Sequence, residues 1–371
     1  MAREILLVIK TVVLAAALLA PAAGLSAGEP AEPKGHDDRP AAEPAPRGTG
    51  GGAELEVTPQ AALAIRRALD FLAGIQNKDG SWDGQGNQHR AAMTGLSGLA
   101  FLSAGHVPGK GKHGKAVEKA VNFLLRLQDR EGCYADSGGR SMHGHGYALH
   151  FMAEAYGTTA DPDLSRRLRK SVTEGVRLTA RCQSPEGGWI YQPVAQGHEG
   201  SITVTQVQAL WAARQAGINV PQKTIDKGID YMRKSQQPDG GICYRLGMPG
   251  SRPALSAAGV MVFCGLGLRE SREATKAIGY LRRMLSGGAG QFSVMGGFPH
   301  YTDLYVGQAL YQAGDPEWSR HYPRFRDEIL KCQAADGSIS RGGDGYGPAF
   351  STSCEVLVLA IPYQYLPTFQ R

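Results

Sequence analysis

The sequence has no long hydrophobic run and no concentrated block of either charge. Its most apolar stretch, Thr11 to Ala20, is too short and too small-sided to span a membrane. The formal net charge is only +6, and the basic residues fall in scattered pairs such as Arg66-Arg67, Arg166-Arg167 and Arg282-Arg283. A nucleic-acid surface needs clustered cations, usually among stacking aromatics, so nucleic acid is excluded as a partner. Cysteine is sparse, at six residues. What remains is ordinary for a globular protein: 371 residues, 42% hydrophobic and 20% charged. Fifty glycines are many, and they point to numerous tight turns or closely approaching backbones.

The chain divides by composition. Residues 1–27 read as an export signal: Arg3 and Lys10 flank a short apolar core, Pro21 breaks it, and small residues run to Ala27. The expected location is therefore periplasmic or secreted, with no stable transmembrane span after cleavage; an uncleaved N-terminal anchor is the alternative. Residues 28–53 are rich in Pro, Gly and charge and cannot bury enough apolar surface to order themselves, so they read as a flexible linker. Residues 54–371 form the folded part.

That part is a repeat. A Gln followed by a Gly-containing turn and then a large residue recurs as Gln76, Gly80 and Trp82, then as Gln128, Gly132 and Tyr134. It returns as Gln183, Gly187 and Trp189, as Gln236 and Gly240, and as Gln333 and Gly337. The period is close to 53 residues, and a decayed copy at Ser286–Gln291 fills the one double-length gap, making six repeats. Each begins with an amphipathic helix, such as the one carrying Ile65, Ala68, Leu72 and Ile75 on one face. After the turn comes a second helix rich in Ala, Gly and other uncharged residues, usually ended by a glycine. A charged helix alternating with an apolar one predicts two concentric layers, and six such hairpins can close into a ring.

The first two copies, Arg67-Ala68-x-x-Phe71-Leu72-x-x-x-Gln76-x-x-x-Gly80-x-Trp82 and its Lys119 to Tyr134 counterpart, resemble the Gln-Trp repeats of triterpene cyclases. Weaker versions occur in protein prenyltransferase β-subunits. The resemblance spans residues 54–371 and implies an all-α α/α toroid in which the Gln and aromatic residues are structural. It does not carry catalysis with it. The Asp-x-Asp-Asp acid of such cyclases is missing, and the nearest string, Asp161-Pro-Asp163, reads as a helix start. The Asp-x-Cys zinc pair of the prenyltransferases is missing from the matching stretch Gly250–Ala257, so no metal and no cofactor are expected.

Cys182 and Cys332 share one repeat phase, and equivalent positions in non-adjacent repeats lie too far apart to be bridged. Free or buried thiols are expected.

Residues just before the inner helices should line the mouth of a central cavity. They include His89, Arg90, His143, His145, Arg252, His300 and Tyr301. The second inner helix adds Tyr147, His150 and Glu154 on the face of His143, and the fifth adds Asp303 and Tyr305. Two readings stay open. These residues bind a ligand in the ring, with Asp303 a weak candidate acid, or they satisfy helix ends and pack between neighbours. The first reading gives a polar, aromatic-lined cavity for an anionic or hydroxylated ligand, whereas a cyclase cavity should be lined mainly by aromatics and the inner helices offer Ala, Gly, Thr and Gln instead. Three functions follow: an exported protein holding a small molecule, glycan or protein partner in its cavity without the family's chemistry; a divergent terpenoid cyclase or prenyl-substrate enzyme; or a secreted polysaccharide lyase or hydrolase. Whether the chain is an enzyme at all is left open.

Overall fold

The computed structural model describes residues 57–136, 139–286 and 298–370. The expected signal and linker, and nearly all of the decayed fifth turn, lie outside them. Twelve α-helices are present among the described residues: α1 (Pro59–Gly74), α2 (Arg90–Ser103), α3 (Gly114–Leu127), α4 (Met142–Thr158), α5 (Pro162–Arg181) and α6 (Gly200–Gln215), then α7 (Gln222–Lys234), α8 (Pro253–Gly265), α9 (Arg272–Leu285), α10 (Pro299–Ala313), α11 (Asp315–Leu330) and α12 (Pro348–Leu359).

Odd-numbered helices form an outer layer and even-numbered ones an inner layer. The outer helices are amphipathic: α3 buries Val117, Ala120, Val121, Phe123 and Leu124 and leaves its charged residues outside. The inner helices are buried nearly all round, as α2 is from Ala91 to Ser103. Each inner helix touches the next, and α12 touches α2, so the inner layer is a closed six-membered ring. The small residues of the inner helices serve this packing. Gly95 lies against the backbone of Tyr147, where an added Cβ would come within 2.6 Å, and Gly98 lies against the Phe151 ring.

One hydrogen-bond pattern joins successive hairpins. Gln76 Nε2 donates to the carbonyl of Gly80 in its own turn, at 3.0 Å, and to that of Ala116 at the start of the next outer helix, at 2.9 Å. Gln128 likewise bonds Gly132 and, in the middle of α5, Ser171, Gln183 bonds Gly187 and Thr224, and Gln236 bonds Gly240 and Glu273. Gln333 closes the circle, donating to Gly337 and to Ala64 of α1. Each turn glycine also backs onto that next outer helix. Gly187 has φ +95°, and a Cβ there would stand 2.2 Å from the Lys227 carbonyl oxygen. Only glycine tolerates both the left-handed backbone and the approach.

The aromatic residue of the motif locks the turn to its own outer helix. Trp82 and Trp189 are fully buried, and their indole N–H groups donate to the carbonyls of Leu72 and Thr179. Their backbone N–H groups donate to hydroxyls on the following inner helix, Thr94 and Thr203.

The ring is open at the N-terminal ends of the inner helices. At the other end the C-terminal segment folds across it: Leu366 and Phe369 are buried, Gln312 donates to the Gln370 carbonyl, and Thr368 meets His150. All six cysteines are unpaired thiols. No helix among the described residues is long and apolar enough to cross a membrane.

Gly187→Ala is expected to lose about 1–3 kcal/mol from backbone strain alone, with the carbonyl collision adding to it. Gly217→Ala, at a glycine of similar φ with open space around it, should lose only the strain. Equal losses in chemical denaturation would show that the close approach is not a constraint.

Candidate functional site

The open end leads into a cavity of about 610 Å³. Seven of its lining residues are aromatic: Tyr147, Tyr191, Tyr244, Phe298, Tyr301, Tyr346 and Phe350. Met93, Leu96 and Leu255 add aliphatic wall. The polar contribution comes from His89, Ser141, His143, Ser201, Arg252 and Thr302. Arg252 is the single permanently charged side chain among the described lining residues, and no carboxylate is among them.

The cavity is aromatic-lined although the inner helices are rich in Ala, Gly, Thr and Gln. The inner helices spend their small residues on packing against each other, and the wall comes mostly from the segments that lead into them. Tyr191 and Tyr244 follow the third and fourth turns at the same repeat phase, and their hydroxyls meet at 2.8 Å. Tyr346 stacks on Phe298 and meets His89 edge-on. That shared phase was a signal in the sequence. Tyr346 lies in a Gly-rich stretch with no such marker.

Of the residues expected to line the cavity, His89, His143, Tyr147, Arg252 and Tyr301 do so. His143 stacks beside Tyr147, and burial pushes its imidazole down to about 4, so it is neutral at physiological pH.

The others are engaged elsewhere. Arg90 forms ion pairs with Asp79 and Asp83 and covers the Phe123 ring, bracing the first turn. His145 is fully buried. Its Nδ1 accepts the Tyr134 backbone N–H at 3.4 Å, the role that Thr94 and Thr203 fill in neighbouring repeats, and its Nε2 meets Thr179. His150 and Glu154 face the closed end, where both contact Thr368. Tyr305 is buried and donates its hydroxyl to Gln208.

Asp303 and His300 also leave the cavity. Asp303 is 1% exposed, accepts a hydrogen bond from Arg341 at 3.0 Å and is not among the lining residues of the cavity. His300 Nε2 accepts the Arg341 backbone N–H at 3.3 Å, which assigns the proton to Nδ1, and that N–H donates to Glu355 at 2.6 Å. Asp344 accepts the backbone N–H groups of His300 and Tyr301, capping α10 where Phe298 cannot. Arg341, Asp344 and Glu355 were missed in the sequence because they come from the sixth hairpin and share no spacing with His300.

The ligating atoms of His300, Asp303 and Glu355 lie within 4.8 Å of one another, a spacing that could suit a metal. Both His300 nitrogens are committed to neighbours, however, and the Arg341 guanidinium already supplies the cation beside Asp303. The residues fit a buried polar lock between the fifth and sixth hairpins better than a metal centre.

Over residues 60–153 and 158–298 the sequence matches the prenyltransferase α/α-toroid domain. It is 27% identical over 209 residues to a drimenyl diphosphate synthase of Streptantibioticus cattleyicolor, covering 55% of this chain and 37% of that protein. A drimenyl diphosphate synthase of Streptomyces showdoensis is 24% identical over 197 residues, covering 52% and 34%. The chain thus spans about a third of the length of these relatives. Among solved structures it is similar to a type II terpene cyclase from Scytonema (12% identity, TM-score 0.56, covering 82% of this chain and 97% of that one). It is also similar to the GH76A α-1,6-mannanase of Salegentibacter (9% identity, TM-score 0.60, covering 82% and 99%). At such identities these structures share the fold alone.

Burial pushes the Glu355 carboxyl from 4.5 up to about 8, against the opposing pull of Arg341 and Asp303. The folded state therefore holds a proton that the unfolded chain releases near 4.5, and this group's contribution to stability falls as pH rises from about 4.5 to 8. Gln in its place mimics the protonated acid. Glu355→Gln should be more stable than the unaltered protein at pH 8.5 and flatten the decline with pH; lower stability at pH 8.5 would contradict a protonated Glu355.

Proposed function

This chain belongs to the prenyltransferase α/α-toroid family, and from that premise we propose that its central cavity binds an apolar ligand of the isoprenoid class without protonating it. The observation that carries the reading is the lining itself: seven aromatic side chains, a remainder divided evenly between apolar and polar residues, and no carboxylate among the described lining residues. A cavity of about 610 Å³ falls in the range of small-molecule sites. Aromatic faces suit an unsaturated hydrocarbon chain and would stabilise a carbocation if one formed.

Formation is the missing step. Protonating an alkene takes a strong acid in contact with the substrate, and Asp303 is held behind the wall by Arg341. The same lining speaks against glycan cleavage, which ordinarily requires a pair of carboxyl groups flanking the bond. The relatives named drimenyl diphosphate synthase support the isoprenoid class, and Arg252 at the mouth is placed to meet a polar or anionic end.

Calorimetric titration with farnesol and with α-1,6-mannotriose separates the possibilities. Farnesol should bind at micromolar concentrations and mannotriose should not. Ala254→Trp, which fills the cavity, should weaken farnesol binding at least tenfold. Saturable mannotriose binding with none for farnesol would overturn the reading in favour of a glycan.

A further inference from the structure

The glutamine bonds mark one equivalent position on each outer helix they reach, the residue whose carbonyl is the acceptor. Immediately before that residue stand Lys115 on α3, Lys170 on α5, Lys223 on α7 and Arg272 on α9, with Leu63 in the same place on α1. The shared contact sets these residues at one level of the wall. Basic residues that are scattered in the sequence thus form a row across four consecutive outer helices. All four cations are exposed. None of their side chains has a partner among the described residues. Four residues on, Lys119, Lys227 and Lys276 repeat the charge on the same helix faces, and Arg166 does so four residues before Lys170.

This pattern opposes helix stability. Like charges four residues apart repel along a helix. Lys115 and Lys223 are the second residues of α3 and α7, and Arg272 is the first of α9, where the helix dipole favours an anion. Neither α3 nor α7 has an acidic residue in its first turn. A wall built for stability alone would place Glu first and Lys four residues later. Glu118, Asp226, Asp230 and Glu273 share these helices, and none of them pairs with the cations of the row. The row is also bounded. Leu63 interrupts it on α1, and α11 carries more acidic residues than basic ones.

A row of unpaired cations, held against the helix dipole, suits an external anion. The outer helices α3, α5, α7 and α9 expose no large hydrophobic side chain. They therefore offer no platform on which bases could stack and no apolar tip to enter a bilayer. A convex wall presents few of its charges at once to a flat surface, whereas a flexible chain can follow it. We infer that the outer wall of hairpins two to five binds an anionic polysaccharide, with the carboxylates of its uronate units against Lys115, Lys170, Lys223 and Arg272. This surface is separate from the cavity and does not rest on the cavity's ligand.

The test titrates labelled polygalacturonate with the full-length protein at about 50 mM salt, read by fluorescence anisotropy, with neutral dextran as control. Polygalacturonate should bind and dextran should not, and about 500 mM salt should abolish the signal by screening. The combined substitution Lys115→Gln, Lys170→Gln, Lys223→Gln and Arg272→Gln should weaken binding by about tenfold or more. A second variant removes the same charge in or beside the turns, through Lys78→Gln, Arg130→Gln, Lys234→Gln and Lys331→Gln, all at exposed positions. It should bind within about twofold of the unaltered protein. Gln and Lys have similar helix propensity, so the first variant should melt no lower than the unaltered protein. A clearly lower melting temperature would assign these cations to the fold and overturn the inference. Equal weakening by both variants also overturns it, because net charge alone would then be read, and so does the absence of polygalacturonate binding. Tighter binding of a single-stranded oligonucleotide, or of phosphatidylglycerol vesicles, would overturn it in favour of nucleic acid or a membrane.

Discussion

The structure depends on one repeated contact, a glutamine side-chain amide that donates both to its own turn and to a backbone carbonyl of the next outer helix. Five such glutamines occur among the described residues, and each carries a hydrogen bond across to a backbone carbonyl of the next outer helix. The contact joins one hairpin to the next at five steps among the described residues, and that repetition is what brings the chain round into a ring. Gln333 reaching Ala64 is the step that turns a row of hairpins into a circle. The turn glycines make the contact possible by letting two backbones approach without a Cβ between them.

Closure explains where a ligand can go. The inner helices are joined to their neighbours through glycine and alanine faces, so the ring has little space between helices and its space lies along the axis. The C-terminal segment shuts one end with Leu366 and Phe369, and the remaining volume becomes a cup lined at its mouth by aromatic residues. The polar groups that look catalytic in the sequence mostly hold hairpins together. His145 stands in for a threonine, Arg90 braces a turn, and Asp303, His300, Glu355, Arg341 and Asp344 join the last two inner helices through one buried network.

The fold was legible because its determinants recur. A Gln, a Gly and a large residue at fixed spacing announce themselves five times over, and the alternation of charged and apolar helices assigns the layers. The cavity was less legible, because helix-face arguments place residues on a face without saying whether that face meets a neighbour or open space. His143 and Tyr147 were found that way, whereas His150 and Glu154, on the same face, are covered by a C-terminal segment with no periodic signal. Asp303 looked like an isolated acid because Arg341 lies 38 positions away in a Gly-rich stretch. Tyr191 and Tyr244 could have been found from their shared repeat phase.

The central proposal is that the cavity takes an isoprenoid ligand and presents no carboxylate to it among the described lining residues. Incubation of the purified protein with farnesyl diphosphate, followed by phosphatase treatment and gas chromatography with mass detection, tests that claim directly. The account predicts that farnesol alone is recovered, at every protein concentration and from pH 5 to 8. A cyclised sesquiterpene alcohol, formed in proportion to protein and abolished by Ala254→Trp, would contradict it.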